Sequence, residues 1–239
     1  MRISATSQRV LLWGGVVLAS IYFLGYAGLM GFMPPPPPEL PAEDVMHLYA
    51  DNNTRFRIGV ALMLITAGFN QLWTVVISAQ MVRDEKGVPI WSIMQATAGT
   101  LSTWLFLAPP IFWGAAAFSA VTRNPELTLL MHELAFVTFI TPVCMFPLQV
   151  IPIAVVCLGK KTDDYTSSFP RWLGYFSAWM VVSAEAGVAA ILFNKTGPFS
   201  WNGLFPFWIP LSLFGFWLGA VIYCILRGID RQEAAAASA

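Results

Sequence analysis

Between Leu127 and Leu158 the chain is almost wholly apolar, yet it carries His132-Glu133 near one end and Pro142, Pro147 and Pro152 along its length. About 20 helical residues cross a bilayer core, so this run is too long for an upright span, and each proline removes a donor from the helical ladder. A tilted, kinked helix packed inside a bundle accommodates both features. Five further apolar segments reach spanning length: Leu11–Met33, Ile58–Val82, Ile90–Phe118, Trp172–Phe193 and Leu204–Leu226. A helix satisfies its own backbone hydrogen bonds in hydrocarbon, so six such segments predict an all-α, polytopic integral membrane protein. The expected architecture is one transmembrane domain: a six-helix bundle with proline-kinked third and fourth helices and a short external amphipathic helix.

Composition agrees, with 57% hydrophobic and 11% charged residues against about 25% charged in soluble domains. The 13 basic residues cancel 13 acidic ones, which leaves no basic excess for nucleic acid. Cys144, Cys157 and Cys224 lie inside apolar runs as small hydrophobes, without disulfide or metal-ligand spacing, and no cofactor motif occurs. The first apolar run follows basic residues but is longer than a signal-peptide core and lacks a small-x-small cleavage site, so it reads as a retained helix. Arg2, Arg9, Arg83, Lys86, Lys160, Lys161, Arg171, Arg227 and Arg231 fall on one side of the expected membrane, and Arg55, Arg57, Arg123 and Lys195 on the other. That bias predicts both termini in the cytoplasm.

The first external loop opens with Pro34 to Pro38, a polyproline II spacer rising about 3.1 Å per residue. Pro41 to Ala50 follows as a short helix with Glu43 and Asp44 in its first turn and Val45, Leu48 and Tyr49 on one face. It reads as a closure of the bundle or as a lid over a ligand entrance. Helix two carries Thr66, Asn70, Thr74 and Ser78 four residues apart, with Gln71 beside Asn70, and helix three carries Ser92, Gln95, Gly99, Ser102 and Thr103. Such stripes face other helices, as interhelical hydrogen bonding or as the lining of a cavity. Helix three then reaches Pro109-Pro110 among Phe106, Phe112 and Trp113, where broken backbone needs protein or a water-filled cavity against it.

Asn124, Pro125 and Glu126 form a helix start. Counting back from Leu158 puts the hydrocarbon edge near Phe139 and His132-Glu133 at the outer interface, as a solvated pair or as a pocket for a proton or polar ligand group. Position 136 is Phe, which removes the zinc-protease spacing. Glu185 lies 13 residues after Trp172, about 20 Å into the membrane, among Ser183, Ala184, Ala186 and Gly187. It is expected to face protein, either protonated and structural or functional, with Asn70, Gln71, His132 or Glu133 as partners.

Gly31-Phe32-Met33 into the proline run, Leu48 to Asn52, Phe169 to Tyr175 and the Thr196 to Gly203 loop resemble small uncharacterised bacterial multi-pass membrane proteins across most of the chain. The resemblance implies a bacterial inner membrane and transfers no catalytic residue. Three readings follow. One is binding or passage of a small, mostly apolar molecule within the bundle, with Glu185, His132, Glu133, Asn70, Gln71, Gln95 and Trp113 as candidate ligand or proton groups. Another is a non-catalytic subunit that docks on a membrane partner or on a second copy of itself. The third is an intramembrane enzyme using His132, Glu133 or Glu185; no catalytic set or metal site is assigned.

Overall fold

Polar and small residues interrupt the long apolar segments near their middles, and three of them divide there into two helices. A computed structural model describes residues 4–141, 145–159, 166–185 and 194–238, with the backbone alone at Ala184 and Glu185. Helix α1 (Ala5–Phe23) widens into a π-type turn over Leu24–Leu29, and α2 is the short helix Ala42–Asp51. The second apolar segment forms α3 (Asn53–Thr66) and α4 (Phe69–Met81), the third α5 (Ile90–Ser102) and α6 (Trp104–Phe118), and the fourth α7 (Pro125–Ile140) and α8 (Met145–Leu158). Helix α9 covers Arg171–Glu185, and α10 (Ile209–Ala237) follows a π-type turn at Leu204–Trp208.

Hydroxyl side chains mark these interruptions. Thr66 donates to the Leu62 carbonyl at 2.7 Å and Thr141 to the Val137 carbonyl at 2.6 Å, the back-bonding that bends and weakens a helix. In the third segment the interruption falls at Thr103, before the prolines, and α6 runs on through Pro109 and Pro110 without turning back. Those prolines deprive the carbonyls four residues earlier, on Leu105 and Phe106, of their donors. The Tyr22 hydroxyl, wholly buried, donates to Phe106 O at 3.0 Å and replaces one of them.

The segments pack in chain order around a ring. Helix α1 lies against α3 and α4; α4 meets α5 and α3 meets α6; α5 meets α8 and α6 meets α7; α8 meets α9, α9 meets α10, and α10 returns to α1. Gly25 and Gly59 permit the closest crossing, since a Cβ on Gly25 would stand 2.7 Å from the Gly59 carbonyl oxygen. At the end that holds the termini, Arg9 pairs with Asp230 at 2.8 Å and Glu233 at 2.5 Å. Gln80 there joins Gln8 at 2.6 Å, and Gln232 donates to Gln80 at 3.0 Å and to the Thr166 carbonyl at 2.9 Å. These contacts carry α10 past Leu226 to Ala237, through a Glu- and Ala-rich tail of strong helix formers.

At the opposite end the proline run takes the chain from α1 across to α7, where α2 packs with Val45 and Tyr49 fully buried. The Trp201 indole fixes this run by donating to the Pro36 carbonyl at 2.7 Å. Asn124 caps α7 by accepting from the Glu126 amide at 2.9 Å. Five described stretches are long and apolar enough to cross a membrane: Ala5–Leu29, Asn53–Met81, Ile90–Phe118, Pro125–Leu158 and Gly197–Ala237. Large apolar side chains such as Ile65, Phe118 and Phe216 on these stretches and Val182 on α9 are exposed, an arrangement compatible with a lipid surround. The expected fifth span, Trp172–Phe193, begins as α9, and its last residues lie outside those described.

Tyr22 and Tyr26 are both buried, but the Tyr26 hydroxyl has no partner. Tyr22→Phe is expected to destabilise the protein by roughly 1–3 kcal/mol by orphaning the Phe106 carbonyl. Tyr26→Phe should be neutral or stabilising. Thermal unfolding of the two variants in the same detergent checks the contrast, and equal losses would contradict it.

Candidate functional site

The interruptions of the apolar segments converge on a cavity of about 170 Å³. Phe23 and Tyr26 reach it from the junction of α1 with its π-type turn, Asn70 from the start of α4, and Ser102 and Phe106 from either side of Thr103. Ile140 and Phe146 flank it from α7 and α8, Phe207 from the turn before α10, and Met180 from α9. An interrupted helix withdraws backbone from its neighbours, and the side chains around the gap fill it only in part. The lining is mainly aromatic and aliphatic, with Asn70, Ser102 and Gln149 as its polar members.

Those three residues come together because Gly99 has no side chain. A Cβ there would lie 3.0 Å from Gln149 Nε2 and would collide with Thr74. The Asn70 amide donates to Gly99 O at 2.9 Å, and the Gln149 amide donates to the Thr74 hydroxyl at 3.3 Å. Below the cavity the two polar stripes close on one another: Ser78 donates to the Ser92 carbonyl at 3.2 Å and also bonds Gln95 Oε1. Gln95 is fully buried with its Nε2 unpartnered, and Gln71 reaches outward to Thr100 Oγ1 at 3.1 Å. Asn70 thus lines the cavity, whereas Gln71 and Gln95 join helices.

The expected pair His132-Glu133 is split. Neighbours on a helix point about 100° apart, and His132 turns inward while Glu133 turns to Lys195 at 3.4 Å on the surface. His132 is buried, not solvated, among Phe32, Tyr49, Phe136 and Trp201. Its Nδ1 is 2.7 Å from the Tyr49 hydroxyl, and its Nε2 has no partner. Burial holds the Tyr49 phenol above its ordinary range, so it keeps its proton. Tyr49 of helix α2 packs on this ring cluster, a cover that a count of residues along α7 does not foresee.

Trp113 is wholly buried beside Tyr26, Phe136 and Phe139, with its indole nitrogen unpartnered. These rings form a continuous plug from α2 down to Tyr26 and Phe139, which also line the cavity. The Glu185 side chain lies outside those described, and so do Pro142, Cys144, Lys160 and Lys161. Among the described residues no three His, Cys, Asp or Glu side chains cluster to hold a metal ion.

Gln149 and Tyr49 are the residues whose importance the sequence hides. Gln149 is a lone amide within Met145–Leu158, and that isolation was the available signal. Tyr49 is an amphipathic-face residue whose hydroxyl partner comes from 83 positions away, beyond any local pattern.

Tyr49→Phe removes the hydrogen bond to a buried imidazole and is expected to cost roughly 1–3 kcal/mol, whereas replacing both partners by phenylalanine should be far milder. Melting temperatures of Tyr49→Phe and of the double variant with His132→Phe provide the measurement. A double variant as weak as the single one would show that the pair does not act as a unit.

Comparison of the chain with protein-family models, with curated proteins and with solved structures gave no match.

Proposed function

We propose that this chain crosses a bacterial inner membrane six times, with both termini cytoplasmic, and that it binds or passes a small, mostly apolar molecule in the central cavity. The observation that carries this reading is the meeting of the helix interruptions around one space. A bundle that needed only stability would run its helices straight and fill its centre, because each unfilled methyl-sized void costs about 1 kcal/mol. Here residues flanking the interruptions of the α1, α3–α4, α5–α6 and α7–α8 segments line one cavity, and the space between them stays open. Broken helices at membrane depth are tolerated where they line a site.

Size narrows the occupant. A cavity of about 150 Å³ with apolar walls holds benzene, so 170 Å³ suits a single ring or a short branched chain. The aromatic plug lies beneath α2 at one end of the bundle and the Gln8, Gln80 and Gln232 cluster at the other. The half-buried α10 side chains Pro210, Leu211 and Phe214 form one wall of the cavity. A molecule dissolved in the bilayer reaches the cavity past that wall.

Benzene or toluene at 100 times its Kd should stabilise the purified protein by about 2.7 kcal/mol, read as a rise in melting temperature. Leu211→Trp, which fills the cavity from α10, should abolish that rise and leave the unliganded protein folded. Stabilisation that persists unchanged in Leu211→Trp would place the binding elsewhere. For orientation, a cysteine introduced as Ala42→Cys should react with an impermeant maleimide from outside the cytoplasm. Reaction from the cytoplasmic side alone would invert the topology.

A further inference from the structure

The cavity has two unlike halves, and their division decides what fits. Asn70 from α4, Ser102 from α5 and Gln149 from α8 form one side, on three successive neighbours of the ring. Among the described residues, the side built from the α1 segment, α9 and α10 presents mostly carbon and sulfur, through residues such as Phe23, Met180 and Phe214, with the Tyr26 hydroxyl as its polar group. No described lining residue is charged.

Each amide carries two N–H donors and one carbonyl acceptor. Asn70 donates to Gly99 O and Gln149 to Thr74, and the remaining N–H and the carbonyl oxygen of each meet no other protein group. Both residues are at least 95% buried. Each amide makes one bond and keeps unused hydrogen-bonding capacity, and two such amides lining one space point to an occupant that completes them.

We infer that the cavity selects an uncharged, single-ring molecule bearing one hydroxyl or carbonyl oxygen, held with that oxygen against Asn70 and Gln149 and the ring among the phenylalanines. This inference rests on the binding reading above and adds the chemistry of the ligand. A carboxylate or ammonium is disfavoured because the described walls offer no counter-ion and a buried unpaired charge is strongly penalised. A purely apolar ring fits the space but leaves both amides unmet. A site built to hydrogen-bond an oxygen discriminates against the analogue that lacks it far more strongly than an apolar pocket discriminates by size.

Toluene and p-cresol test this, because they differ by one hydroxyl on the same ring. The full chain in nanodiscs of phosphatidylethanolamine and phosphatidylglycerol is titrated with each, with concentrations expressed in the lipid phase so that partitioning cancels. Wild-type protein should bind p-cresol at least about tenfold more tightly than toluene, a difference of about 1.4 kcal/mol. In Gln149→Met, which keeps the length of the side chain and removes its amide, the preference should fall to about twofold or less while toluene still binds. Toluene binding in that variant shows that the cavity is intact. Equal affinities for the two ligands in wild-type protein would overturn the polar-wall inference and leave the binding reading standing. An undiminished preference in Gln149→Met would remove Gln149 from the site. Binding of neither ligand would overturn the inference together with the reading on which it rests.

Discussion

Main-chain carbonyls without water are the constraint around which this bundle is organised. A helix that bends, ends or contains proline strands carbonyl groups, and in an apolar surround only another part of the protein can satisfy them. The molecule answers repeatedly in one way, with a side-chain donor from a neighbouring segment. Tyr22 reaches Phe106 O, Asn70 reaches Gly99 O and Asn53 reaches Ala117 O at 2.5 Å. Each of these bonds links different segments of the ring and thereby fixes the height of one against another. Irregular helices and precise packing are thus two results of the same requirement.

The apolar segments and their all-helical character were legible because length and hydropathy are local properties. The meeting of the stripes was legible as well: Asn70, Thr74 and Ser78 share a face with period four, and they engage Gly99, Gln149 and Gln95 or Ser92. What the sequence concealed were contacts between distant segments. Pro109 and Pro110 drew attention as a kink within a continuing helix, and they do stay inside α6 with Tyr22 supplying one of the missing donors, but the interruption at Thr103 carried no such local mark. The burial of His132 escaped a residue count along one helix, which takes no account of α2 lying over its end. The last apolar segment ends at Leu226 because charges follow, yet the helix continues to Ala237, with Asp230 and Glu233 held by Arg9 on α1.

Interhelical bonding and cavity lining are commonly treated as rival roles for a polar stripe, but here they divide along its length. Ser78 and Gln95 bond one another outside the cavity lining, with Gln95 fully buried. Four residues before Thr74, Asn70 stands just after the break at Ala67-Gly68 and lines the cavity. One amide N–H still bonds across to Gly99, and the rest of the group faces open space. A single helical period therefore produces adhesion where the ring is tight and a hydrogen-bonding surface where it is loose. The position of a helix break relative to the stripe decides which role a given residue takes. That is why Gly99 matters twice: its bare Cα lets α8 bring Gln149 against α4, and its carbonyl orients Asn70 toward the same space.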